Sequence, residues 1–404
     1  MIVTASTTIP TAIMKIFGKR TLPISATCNA RQDYVNTDVV LVLDNTGSMA
    51  CAPSASATAS CPSEVSGSKM AGMRSAVMAL YDALTPAQTQ LTTAGLRLRY
   101  GIVPFSGTVN VGKLIYAMNT GYIQNPAPYQ QQQCTGSGWS RSCSYVATSV
   151  NHSNGYFTSA SQWGGCIEEA NSVNTINSSS GYAIPTGAYD LNVDLVPTIG
   201  TTAAAQATQW APYDENSEQA DTQTACPAQA VPLQAFARSD LQTYVNGLVA
   251  NGGTYTDIGM IWGGRMLSST GIWSSINPTT YGNMPVNKYI ILMTDGYIDT
   301  GSTYYSAWGV ETYDHRTGAN PYPGDSTIDA NHKQRFSMVC NEIKGEGVSI
   351  WVIGFGQSTG GVLDTALSGC ASNANQASVS TDSASLIAKF TQIGNQIGSL
   401  RITQ

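Results

Sequence analysis

Apolar positions along the chain change period several times, and each change marks an element. DVVLVLD (38–44) is an apolar run closed by an acid, the pattern of a strand buried on both faces. From Ser68 onward, Met70, Met73, Val77, Leu80, Tyr81 and Leu84 recur at helical spacing, which predicts a helix with one buried face. LRLRYGIVPFS (96–106) alternates and then turns wholly apolar, a second strand. The rhythm resumes with a helix over SDLQTYVNGLVA (239–250) and a Gly-rich turn that leads GGTYTDIGMIWGGRML into another helix. NKYIILMTDG (287–296) is a strongly apolar strand. Helix KQRFSMVCNEIKGEG, strand SIWVIGFG, helix VLDTALSGC and a final helix with Leu386, Phe390, Ile393, Ile397 and Leu400 on one face complete the series. Strands alternating with helices mean right-handed crossovers, so the predicted class is α/β, with a mostly parallel sheet covered on both sides.

Two segments stand outside that rhythm. Residues 1–35 read as strand, short helix, strand: MIVTAST, TAIMKIFG after Pro10, then TLPISATC. Residues 107–235 are rich in Gln, Asn, Ser, Gly and Tyr, carry four cysteines and show no long helix, as expected of a polar insertion. The predicted organisation is therefore an N-terminal segment 1–35, an α/β domain made of 36–106 and 236–404, and an insertion at 107–235. The insertion's composition fits either a binding surface, since tyrosine supplies contact area at low entropic cost, or a solvated, disulfide-braced cover. Trp163 and Trp262 adjoin Gly pairs and are expected to be core anchors.

Composition narrows the setting. Hydrophobic residues make up 42% of the 404, enough for a core, but charged residues only 11%, well below the usual quarter. A net charge of −6 argues against a nucleic-acid partner. None of the nine cysteines forms CxxC, and His152, His315 and His332 are too scattered for a zinc site. Disulfides are the expectation, and with them an oxidising compartment, periplasmic or cell-surface. The local pairings are Cys51–Cys61, Cys134–Cys143, Cys166–Cys226 and Cys340–Cys370, with Cys28 left over. No signal peptide and no bilayer-spanning apolar run is legible. The cysteines and the N-terminus agree if the chain is an ectodomain whose membrane anchor lies outside this sequence.

The chemistry gathers at strand ends. In open α/β sheets ligands bind beyond the carboxyl ends of the strands. Asp44 ends one strand and Asp295 another, and Thr254 follows Gly252-Gly253 at a helix entrance. Asp44, Thr46, Ser48, Thr254 and Asp295 should converge there, offering oxygen and neither nitrogen nor sulfur. Such a set suits a hard divalent cation, Mg²⁺ with Mn²⁺ or Ca²⁺ as alternatives. Two carboxylates and three hydroxyls leave the ion incompletely neutralised, so it should attract a carboxylate from a protein partner without any chemistry.

A rival exists. DNTGS (44–48) also resembles the DKTGT of phosphorylated ATPases and the strand-end aspartate of haloacid dehalogenase phosphatases, with Asp299 in TDGYID as a further acid. That chemistry needs a lysine at the phosphoryl group. Between the two acids lie only Lys69, Lys113 and Lys288. Lys288 begins its strand and the other two lie far upstream, so none is expected at the site. Position 46 is Thr where those phosphatases use an acid/base aspartate. Two weaker signals read blandly: GFGQSTGG (354–361) lacks the Lys-Ser/Thr of a phosphate loop, and Asp214, Asn216 and Glu218 lack the rest of an EF-hand.

DNTGS, GGT (252–254) and TDG (294–296) together, in that order on matching elements, resemble the three elements of the metal-ion-dependent adhesion site of von Willebrand factor A domains, with Thr46 in place of the first serine. The resemblance implies a Rossmann-like A domain in which Thr46, Ser48 and Thr254 are hydroxyl ligands and Asp44 and Asp295 act directly or through water. Thr256 is the alternative to Thr254. More narrowly, PTAIMKIFG, DVVLVLDNTGSM, RYGIVPFSGTVNVG, QWGGCIEEA, the CNEIKGEGVSIWVIGF run, GCAS and SLRIT look like the TadG-like proteins of the tight-adherence (Flp) pilus system. Cys28, and Glu169-Ala170 where an arginine is expected, depart from that pattern. The implied role is a non-enzymatic, metal-dependent adhesion or assembly component anchored in the inner membrane. A structural pilus component whose metal site has decayed is a further alternative.

Overall fold

In a computed structural model of the chain, the structure describes residues 2–403 apart from 30, 33–34, 57–58, 60, 138–139, 214–224, 297, 319–323, 357–361 and 400–401. Asn36–Asp44 is a central strand because both of its faces are apolar. Val39, Leu41 and Leu43 join one buried cluster, and Val40 and Val42 join another, the period-two alternation of a strand covered on both sides. It pairs in parallel with Leu98–Phe105 on one side and Met284–Thr294 on the other. Ser349–Phe355 and Ala377–Ser380 extend the sheet in parallel, and Val231–Gln234 closes the opposite edge antiparallel to Leu98–Phe105.

Helices Lys69–Thr93, Arg238–Asn246 and Ser383–Gly398 cover the face that carries Val39 and Leu41, through Met70, Leu80, Leu241, Leu386 and Phe390. Thr256–Leu267 and Asp325–Gly345 cover the other. The first of these lies unusually close to the sheet. A Cβ on Gly259 would come within 2.6 Å of the Phe105 ring, and one on Gly263 within 2.7 Å of Val42. The glycines of GGTYTDIGMIWGGRML therefore let a helix settle directly on two strands.

The polar segment 107–235 is no loose cover. Its Ile115, Trp163, Ile167, Leu191 and Trp210 are buried in the same cluster as Val40 and Val42. Two buried ion pairs lock it to the helices of that face. Arg265 donates to Glu169 at 2.8 Å, and Glu169 also accepts from the indole N–H groups of Trp262 and Trp210 at 2.6 and 3.1 Å. Arg335 pairs with Asp190, which accepts from Trp308 as well. The departure at Glu169 thus has a partner on a neighbouring helix. Trp163 and Trp262 are buried, as expected of anchors.

Cys51–Cys61, Cys166–Cys226 and Cys340–Cys370 are bonded as predicted. Cys134 is disulfide-bonded and faces Cys143 across the hairpin Ala127–Thr135/Ser142–Val150. The side chains of Cys143 and Cys28 lie outside the description. So do Asp214, Asn216, Glu218 and most of GFGQSTGG. Residues 1–35 do form strand, turn, strand, as the hairpin Ile2–Pro10/Thr21–Asn29, but the helix between them is a single 3₁₀ turn, Met14–Phe17. Among the described residues no helix is long and apolar enough to cross a membrane.

Candidate metal centre

The site begins where two parallel strands end side by side. Leu43 is in register with Met293, so Asp44 and Thr294 leave the sheet at the same edge. Beyond Asp44 the chain turns sharply. Asp44 Oδ1 accepts from the Thr46 N–H at 2.9 Å and the Thr46 hydroxyl at 2.6 Å, an Asx turn that fixes the carboxylate. The Thr46 and Ser48 hydroxyls lie 3.2 Å apart. Asp44 Oδ2 accepts from the Thr294 hydroxyl at 2.7 Å and the Asp295 N–H at 3.4 Å. Thr294 belongs to the TDG motif, but its role as the donor that orients Asp44 was not read from the sequence.

Asp44, Thr46, Ser48 and Asp295 are all buried. Burial pushes the Asp44 carboxyl above its usual range, against the pull of its bonds from Thr46 and Thr294. Burial and then the neighbouring Asp44 charge push Asp295 up to about 7. The Ser48 hydroxyl approaches Asp295 and eases that rise, but among the described residues no close hydrogen bond reaches Asp295 Oδ1. A buried carboxylate oxygen left unpaired is costly, and it is the kind of vacancy in the hydrogen bonding that a cation satisfies.

The other carboxylate oxygen overturns one sequence argument. Lys69 donates from Nζ to Asp295 Oδ2 at 3.0 Å, and neither side chain is more than 1% exposed. Lys69 lies 226 positions before Asp295, yet the fold brings it to the site. It opens the helix Lys69–Thr93, and that helix starts beside the same sheet edge, its first N–H bonded to Cys51 O at 2.8 Å. The Cys51–Cys61 bridge therefore holds the loop that delivers Lys69. Lys288, by contrast, sits mid-strand, and its charged neighbours are Glu346, Asp38, Asp194 and Arg99, away from this cluster.

Thr254 arrives on the loop between Arg238–Asn246 and Thr256–Leu267. That loop is stitched to the Asp44 turn by Gly47 N–H to Gly252 O, 2.9 Å, and Asn251 N–H to Asn45 O, 2.7 Å. Gly252 has φ +84°, a left-handed conformation that glycine adopts freely. Thr254 is buried and exchanges backbone hydrogen bonds with Asp299 at 2.9 and 3.1 Å. Thr256, the alternative, is buried with a hydroxyl that has no partner among the described residues. The carboxyl of Asp299 keeps other company: burial and the charges of Asp329 and Asp325 raise it.

Among the described residues no three His, Cys, Asp or Glu side chains gather to hold a metal ion. A cation here therefore depends on hydroxyl oxygens beside two acids. Those donors are all hard, and the unpaired Asp295 oxygen fits a hard divalent ion. The two acids outnumber the one buried ammonium, which leaves the cluster short of positive charge.

No protein-family model matches the chain, and neither does any curated protein. Among solved structures the chain is similar to the pilus adhesin SpaC from Lactobacillus rhamnosus GG, at 14% identity and a TM-score of 0.39, over 92% of this chain and 31% of that one. It is similar to the PilB minor pilin from Streptococcus sanguinis at 14% identity and TM-score 0.37, over 94% and 66% of the two chains. The vWF domain of the type V pili tip protein Mfa5 from Porphyromonas gingivalis gives 12% identity and TM-score 0.38, over 92% and 98%. The chain thus spans about a third of SpaC.

Proposed function

We propose that this protein is a non-enzymatic docking module of the bacterial envelope, of the von Willebrand A type and akin to the TadG-like components of Tad/Flp pilus systems. Asp44, Thr46, Ser48, Thr254 and Asp295 would hold Mg²⁺, or Mn²⁺ or Ca²⁺ in its place. The bound ion would supply a Lewis-acidic position for an acidic side chain of a protein partner. The observation that carries this reading is the buried pair of carboxylates at one strand-end edge, ringed by hydroxyls, with an Asp295 oxygen unpaired. The chain's own residues do the positioning. Thr46 and Thr294 clamp Asp44, and the loop at Gly252, bonded to the Asp44 turn, would present Thr254 to the ion.

A ligand that binds only the folded state stabilises it, by about 2.7 kcal/mol at a hundredfold excess over Kd. Mn²⁺ should therefore raise the thermal midpoint of the wild type and leave that of Asp295→Asn unmoved. An equal response in both proteins, or none in the wild type, counts against the reading.

Lys69 lends weight to a second reading. A buried lysine on Asp295, the acid next to Asp44, supplies the cation that an Mg²⁺-dependent phosphatase requires. Against it, Thr46 stands where the acid/base aspartate would be. Burst release of phosphate from an aryl phosphate, lost in Asp44→Asn, would establish it.

A further inference from the structure

The hairpin Ile2–Pro10/Thr21–Asn29 is an arm that buries almost nothing: of its described side chains between residues 4 and 27, all are exposed but the half-buried Thr11. Its polarity is graded. Toward the base the cross-strand partners are small or polar, Thr4 with Thr27, Ala5 with Ala26, Ser6 with Ser25. Toward the tip they turn apolar, Ile9 opposite Leu22. At the tip itself Ile13, Ile16 and Phe17 are 76%, 82% and 77% exposed. Three bulky apolar side chains presented to solvent on one turn are a contact surface, not ordinary surface variation.

The tip is fixed and basic. Thr11 N–H bonds to Arg20 O at 3.0 Å, the Thr11 hydroxyl to Lys19 O at 2.6 Å, and Lys19 N–H to Met14 O at 3.1 Å, with Gly18 at φ +80° closing the turn. Its backbone is thus largely satisfied from within, which is what entry into an apolar medium demands. Lys15, Lys19 and Arg20 surround the apolar crown, and residues 1–32 contain no acid on a chain whose net charge is −6. The body is accordingly acidic while the arm is cationic.

We propose that this tip inserts into the interfacial region of an anionic phospholipid bilayer, with Ile13, Ile16 and Phe17 in the headgroup–acyl boundary and Lys15, Lys19 and Arg20 on the lipid phosphates. A convex apolar crown with a cationic collar matches such a surface, whereas a protein groove would need an apolar strip along the strands, and these are small and polar toward the base. Strands of nine residues span about 30 Å, well beyond a Debye length of about 8 Å, so the acidic body does not oppose the docking of the tip. The inference is independent of the metal site.

The test is co-sedimentation of the whole chain with vesicles of phosphatidylglycerol and phosphatidylcholine, and with phosphatidylcholine alone. Wild type should partition onto the anionic vesicles and be released as salt rises. The surface variant Ile16→Asp/Phe17→Asp, checked for folding by circular dichroism, should bind at least about tenfold more weakly. Wild type that stays in solution, a variant that binds equally well, or a tip-dependent dimer in sedimentation equilibrium without vesicle binding each overturns the proposal, the last in favour of a second copy as the occupant.

Discussion

Lys69 shows how one residue sets the charge of a site that the motif alone does not describe. Its ammonium pairs with one of two adjacent buried acids, and in the proposed site a cation would meet the remaining charge. Removing one partner of a buried pair typically costs about 3–5 kcal/mol. Lys69→Met should therefore lose about that much stability in metal-free buffer, measured by denaturant unfolding, and recover much of it with saturating Mn²⁺. An equal loss with and without the ion would mean that the lysine and the metal do not share the carboxylate. The five proposed ligands lie in short motifs at predictable strand ends. Lys69 was not legible in the sequence, because 226 positions separate it from Asp295 and only the helix start brings the two together. Thr294 was hidden differently: it sits inside a quoted motif, but nothing in the sequence says which way its hydroxyl points.

At the scale of elements, the helix Thr256–Leu267 directly follows Thr254, so its seat on the sheet would govern how Thr254 approaches the proposed site. Its closeness to the sheet depends on Gly259 and Gly263, whose missing side chains admit Phe105 and Val42. Gly259→Val should push the helix outward, costing about 1–3 kcal/mol by overpacking, and should weaken metal binding along with stability. Calorimetric titration of the folded variant checks this, and unchanged affinity would separate the helix from the site. Helices and strands with clear periodicity were read nearly in place, such as 68 onward against Lys69–Thr93. Misses fell where the apolar signal is thin. The helix from Asp325 begins eight residues before the predicted one, because of its first eight positions Ile328 is the sole apolar residue larger than alanine. Val231–Gln234 and Ala377–Ser380 are four-residue strands at the sheet's two edges, too short for a period to show.

For the whole molecule, buried acids govern how stability follows pH. Burial pushes Glu168 and Asp295 up to about 7. Between about 4.5 and 7 the folded chain holds protons that the unfolded chain has released, so stability falls as pH rises through that window and levels off above it. In EDTA the thermal midpoint should be higher at pH 5 than at pH 8. Glu168→Gln should flatten the fall by on the order of 1–3 kcal/mol, and an unchanged slope would assign the effect elsewhere. The α/β class, and the meeting of Asp44 and Asp295 at one sheet edge, were legible from the order of elements. What was not legible was that the insertion is part of the core, since its anchors, Glu169 to Arg265 and Asp190 to Arg335, are pairs distant in sequence. The central claim is that hydroxyls and acids from three segments hold one ion. Calorimetry of Mg²⁺ or Mn²⁺ binding to the wild type and to Ser48→Ala/Thr254→Ala tests it most directly. Binding to the wild type and its loss in the double variant are expected, and equal binding by the two would contradict this arrangement of ligands.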